Sequence, residues 1–217
     1  MKTLKKNKLK RALKRTLRNT RKKRSYTKKE LPRRRYGIPL LMHSGINPEP
    51  FSHYYSRWPC RLNNFPKEVI EEWIYRHYPN FLEWCQMYEV SEWTFERKAL
   101  TNEEIECIEH LDGELNHWLE LGEDWLNPYG QHQHYEIWLR TFMLENGTFP
   151  TPIIISEDAG GKLHPKSRSY GDDYMKEPLQ LIEGHKRLGF IRALIKSKNI
   201  NLKNRHAAWT LLFNKSK

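Results

Sequence analysis

Glu183-Gly184-His185-Lys186-Arg187 sets an acid, an imidazole and two cations around one glycine. Arg187 offers a planar fork of donors that matches phosphate oxygens. Lys186 adds a compact positive charge beside it. His185 has the side chain that titrates nearest neutral pH and suits proton transfer. Glu183 is a hard oxygen ligand for a divalent cation, or a group that orients a water. Together these types fit Mg²⁺-assisted phosphoryl transfer, with developing charge met by Arg187 and the backbone. Each has a plainer alternative. Glu183 would also cap a helix, Lys186 would face solvent, and Gly184 would simply make a turn.

The elements that must hold these groups can be read on either side. Leu179 to Ile182 is a short apolar run, expected as a buried strand. Gly184 supplies a sharp turn, and the apolar spacing from Leu188 to Ile195 predicts a helix that starts at once. A strand stopping at glycine and feeding a helix leaves free backbone N–H groups at the helix N-terminus. Those groups and the helix dipole favour an anion, so Gly184, His185, Lys186 and Arg187 form a candidate phosphate or nucleotide site.

The chain has 217 residues, enough for one domain with an extension, and its net charge of +12 is unevenly placed. Residues 1–35 hold 18 of the 38 Lys and Arg and one acid, Glu30, so this arm carries +17 and the rest −5. Leu9, Leu13 and Leu17 make a narrow apolar stripe on an otherwise basic helical pattern. Such an arm is expected to be flexible alone and helical on an anion. Lys10, Arg11, Lys14, Arg15, Arg18, Arg21, Lys22, Lys23, Arg24, Arg33, Arg34 and Arg35 are its candidate nucleic-acid contacts. No apolar run reaches the roughly 20 residues of a membrane span, and no secretory leader pattern follows the basic start. Cys60, Cys85 and Cys107 are odd in number and form no CxxC pair, which suits reduced, mostly packed thiols in a cytoplasmic protein.

The remaining segments predict an α/β (α+β) fold. Tyr36 to Met42 reads as a first strand, followed by aromatics at Phe51, Tyr54, Tyr55 and Trp58 that suit a core better than base stacking. Residues 66–125 read as helical and rich in Trp, an acidic insert suited to structure or to a protein partner. Pro66 and Pro79 open helices there, Thr101 to Glu104 is a capping box, and Gly122 is a stop. His110 and His117 near Cys107 raise a metal site, with satisfied histidines as the commoner outcome. Residues 133–147 predict an amphipathic helix ended by Asn146-Gly147. Phe149 to Ser156 predicts a buried strand, and His206 to Phe213 a last one. Between them lies a polar loop, 157–176, whose Lys166, Arg168, Asp172 and Asp173 are placed to close over a ligand.

The order helix, Asn-Gly, Pro152-Ile-Ile-Ile155, polar loop, Leu-Gln-Leu-Ile-Glu-Gly-His-Lys-Arg, helix, strand resembles the ParB/sulfiredoxin superfamily over roughly 130–213. Pro152 to Ile155 matches its "P-I-x-V" strand, and Gly184 to Arg187 its "G-x-x-R" turn. The resemblance implies a small mixed-sheet core in residues 36–217, with 60–125 as a helical insertion. It also implies a nucleoside triphosphate at the turn, and hydrolysis of it, nicking of DNA or phosphate transfer. The chain departs from the partitioning proteins, whose turn reads Gly-Glu-Arg-Arg, and from sulfiredoxins, whose turn carries a cysteine. What remains resembles the ParB-like nuclease and NTPase branch, with a phage or phage-defence context. The alternative is a non-catalytic module that docks on nucleic acid or a partner within a larger assembly.

Overall fold

A computed structural model describes residues 30–42, 48–111, 113–127, 134–165 and 174–213. Lys10 to Arg24 of the basic arm, and Lys166, Arg168, Asp172 and Asp173 of the polar loop, lie outside them.

The described residues form eight α-helices and one mixed sheet. In chain order the helices are α1 (Glu30–Tyr36), α2 (Phe51–Tyr55), α3 (Lys67–Val69), α4 (Tyr78–Met87), α5 (Asn102–Glu106), α6 (Glu114–Leu126), α7 (His134–Asn146) and α8 (His185–Lys196). The strands are β1 (Thr94–Thr101), β2 (Ile108–Glu109), β3 (Ile153–Ser156), β4 (Leu179–Glu183) and β5 (Arg205–Leu212). Their order across the sheet is β1-β5-β3-β4-β2. The β1–β5 and β3–β4 pairs are antiparallel; β5–β3 and β4–β2 are parallel.

Side chains alternate across this sheet, so each central strand feeds two cores. Ile153, Ile155, Leu181 and Ala208 pack with Trp125, Leu139, Met143, Leu188 and Phe190 beneath α6, α7 and α8. Ile154, Ile182 and Leu211 point the other way, into an aromatic layer built by residues 36–93. There Trp73 stacks on Trp93 with ring centroids 6.2 Å apart, and Trp84 meets both edge-on at 5.8 and 6.0 Å. Aromatic pairs of this kind add roughly 0.5–1.5 kcal/mol each beyond the area they bury.

The structure departs from the sequence expectations in five places. Tyr36 to Met42 is no strand. Tyr36 ends α1, Gly37 turns at φ +70°, and the Ile38 and Gly37 N–H groups donate to the Arg33 and Arg34 carbonyls at 2.9 and 3.3 Å. That double bond is a Schellman stop, which a run of apolar residues can mimic as a strand. Tyr36 then packs against α4, and Arg35 pairs with Glu89.

Nor is 66–125 wholly helical. Thr94 to Thr101 forms the long edge strand β1, whose exposed Glu96 and Arg97 hide the alternation that marks a strand. Charge on an edge blocks pairing with a second sheet, so this masking has a physical purpose. The capping box at Thr101 is present, with the Glu104 N–H donating to Thr101 Oγ1, but the helix it opens is only α5. The chain then breaks into β2 and restarts at Gly113, φ +77°.

Gly122 does not stop a helix; it lies inside α6. A Cβ built there would lie 2.2 Å from the Gly189 carbonyl oxygen, and one on Gly189 would lie 2.4 Å from that of Trp118. The two glycines are a notch where α6 and α8 cross with backbones in contact.

The cysteines are free, but only Cys85 is packed; Cys60, which opens a single 3₁₀ turn, and Cys107, just after α5, are exposed. Among the described residues no helix is long and apolar enough to cross a membrane.

Candidate functional site

The strand–turn–helix expected around Gly184 is present. β4 ends at Glu183, Gly184 takes φ +109°, and α8 begins at His185. A Cβ on Gly184 would come within 2.7 Å of Ile153 Cγ2, so both the backbone angle and the packing require glycine.

This turn forms one wall of a cavity of about 450 Å³, a size suited to a small-molecule ligand. The opposite wall comes from the aromatic layer. Val69 passes from α3 into a π-helical stretch, Ile70–Tyr75, and α4 follows at Tyr78. Such widened turns recur at functional sites. Here the stretch and its continuation bring Glu72, Trp73, Arg76 and His77 to the cavity, and α4 adds Glu83 and Trp84. The polar loop contributes His164 and Pro165. Trp118 of α6 completes the lining beside His185, with ring centroids 5.2 Å apart.

Each residue of the motif already has a partner within the fold. The Gly184 N–H donates to Glu183 Oε1 at 3.0 Å, so Glu183 caps its own turn, and His77 Nε2 lies 3.6 Å from the same oxygen. Lys186 Nζ pairs with Glu136 of α7 at 2.6 Å and lies over the Trp125 ring at 5.9 Å. Arg187 is buried. It donates to the Thr151 carbonyl at 3.1 Å and to the Thr151 hydroxyl, and lies 3.7 Å from Glu72 Oε2. It therefore fastens α8 to the segment before β3 and to the π-helical stretch, while still lining the cavity. Arg76 keeps a freer charge at the rim: its side chain is 45% exposed and pairs with Glu72 at 3.1 Å.

His185 faces a different set. Its Nε2 lies 3.4 Å from Glu114 Oε2, and its ring sits 5.7 Å from that of His110. His110 is 1% exposed. Burial, then the neighbouring His185 and Arg192, push its pKa down to about 3, so it is a neutral imidazole at physiological pH. Neither ring nitrogen of His110 has a hydrogen-bond partner among the described residues. His117, seven residues on, is exposed against Trp118, and Cys107 is exposed too; neither joins His110.

Arg33, Arg34 and Arg35 lie on α1, with Arg34 and Arg35 exposed. Nothing in the local sequence marks Glu72, His77, Glu83 or His164 as site residues. They come to the turn only through the packing of the aromatic layer. Glu114 stands four residues after His110, a helical spacing, but a strand end and a turn separate them, so periodicity alone hides the pair.

Compared with protein-family models, with curated proteins and with solved structures, the chain matches none.

Proposed function

We propose that the protein binds a nucleotide in the cavity at the Gly184 turn and acts on it, or at nucleic acid, by phosphoryl-transfer chemistry. One observation carries the reading: an N-terminal helix end at a positive-φ glycine and a wall of Trp73, Trp84 and Trp118 face one cavity of nucleotide size. The aromatic wall offers stacking to a base. The first N–H groups of α8, with Lys186 and Arg76, offer charge to phosphates. Glu72, Glu83 and Glu183 supply carboxylate oxygens of the kind that hold Mg²⁺, and His77 beside Glu183 supplies an acid–base pair. When bound, Mg²⁺ would neutralise charge on phosphate oxygens. The chain order β3, β4, α8, β5 is the order on which the ParB/sulfiredoxin resemblance rests. The basic N-terminal arm would bring the domain to nucleic acid in a salt-dependent way.

Calorimetric titration with ATP, CTP and GTP in Mg²⁺, followed by phosphate-release and DNA- or RNA-cleavage assays, tests this. The expected result is saturable binding of at least one nucleotide, turnover of it, and loss of turnover in Glu183→Gln with weaker binding in Arg76→Ala. Absence of nucleotide binding at millimolar concentration would sink the reading. A second reading follows from the engagement of Arg187 and Lys186 by Thr151, Glu72 and Glu136: the cavity binds but does not react, and the domain is a docking module. Binding without turnover selects it.

A further inference from the structure

We propose that His110, Glu114 and His185 form a binding site for a first-row divalent metal ion of the Zn²⁺ class. One donor atom from each residue lies within 4.8 Å of the other two. His185 Nε2 and Glu114 Oε2 are 3.4 Å apart. A tetrahedral centre with ligands at about 2.0–2.1 Å separates neighbouring donors by about 3.4 Å, and two ligating ring centroids by about 5 Å. The observed 3.4 Å and the 5.7 Å between the His110 and His185 rings stand close to both values.

His110 gives the independent argument. It is a fully buried imidazole with two unpartnered ring nitrogens among the described residues, beside a second imidazole and a carboxylate. A buried polar ring left unbonded is unfavourable, and a metal at one nitrogen removes that cost at that atom. The donor set of two imidazoles and one carboxylate is the type that suits Zn²⁺ and its neighbours rather than Mg²⁺. The three residues come from different elements: the end of β2, the start of α6 and the start of α8. His185 and Glu114 are half-buried, with side chains 20% and 26% exposed, and His185 also lines the cavity. Three protein donors are the number found in zinc sites whose fourth ligand is a water. Lys176 and the buried Arg192 lie near His110 and oppose a dication. Arg192 is held by the Ile105, Glu106 and Ile108 carbonyls, which draw its charge toward α5 and β2.

The site shares His185 with the cavity wall, but its test needs no nucleotide. The full chain, stripped with chelator, is titrated with Zn²⁺ and with Co²⁺ and followed by metal analysis and the Co²⁺ visible spectrum. One equivalent is expected, with a tetrahedral Co²⁺ band. Glu114→Gln and His185→Asn should each weaken binding by roughly 100-fold or more, while His117→Gln leaves it unchanged. X-ray absorption of the wild-type Zn²⁺ complex should show two imidazole ligands, a readout that stands even where a variant fails to fold. No stoichiometric uptake at tens of micromolar Zn²⁺, unchanged affinity in folded variants, or a shell without histidine would overturn the site.

Discussion

Gly122→Ala tests the notch between α6 and α8. In an exposed helix interior this change would stabilise by about 0.5–1 kcal/mol, since alanine loses less backbone freedom than glycine. Here the new Cβ would lie 2.2 Å from the Gly189 oxygen and 2.5 Å from its carbon, where ordinary contact begins at 3.4 Å. The obstacle is helix backbone, not the end of a mobile side chain, so α6 must move off α8 by roughly 1 Å. Overpacking of this kind costs about 1–3 kcal/mol or more. The propensity gain offsets part of it, leaving a net loss of about 1–2 kcal/mol. For a domain near this size that is a fall in Tm of about 2–8 °C. Calorimetric melting and urea titration of Gly122→Ala, beside the exposed control Asn116→Ala on the same helix, read the effect. The same shift moves Glu114 away from His185, so the variant should also weaken any metal uptake at that cluster. A variant as stable as wild type, or more stable, would refute the backbone contact.

Two further outcomes follow from buried polar groups. Arg187→Met removes one of the two arginines beside Glu72, which keeps Arg76, and takes the donor from the Thr151 carbonyl; it should cost about 1–3 kcal/mol in urea unfolding; full stability with lost ligand affinity would make Arg187 a ligand contact instead of an anchor. His206 is fully buried, with Nδ1 2.9 Å from Thr148 Oγ1 and Nε2 2.8 Å from Asn102 Oδ1, and burial holds its pKa below the usual histidine value. The unfolded chain then takes up a proton near pH 6.5 while the folded one does not, so stability falls as pH drops below that point, by at most about 1.4 kcal/mol per unit. Urea midpoints from pH 7.5 to 5 should fall less steeply for His206→Gln than for wild type; parallel slopes would refute the assignment.

The turn at Gly184 was readable because its signals are local. An apolar run, a glycine and a helical period lie within one short stretch, and each agrees with the others. β3, β4, α4, α7 and α8 were legible for the same reason. The failures share another cause. β1 carries Glu96 and Arg97 where a half-buried strand would alternate, because it is a charged edge. Gly122 looked like a stop because glycine is a poor helix former, but its small size serves a neighbour far along the chain. The wall of Glu72, His77 and Glu83, and the meeting of His110 with Glu114 and His185, depend on how layers stack. No spacing within one segment encodes that.

β5 comes last in chain order among the described strands, yet it lies second in the sheet, between β1 and β3. Thr94 pairs with Leu212 and Thr101 with Arg205, so β1 has no ladder until β5 arrives. As the chain leaves the ribosome, residues 36–101 can gather their aromatic side chains but cannot seat them against a finished sheet. The apolar residues of β3 wait for the same strand. Assembly therefore closes from the far end, with long-range pairings formed late, a pattern that slows folding and leaves strand edges open meanwhile. The charged face of β1 shields that waiting edge, and so protects the nascent chain as well as the mature fold.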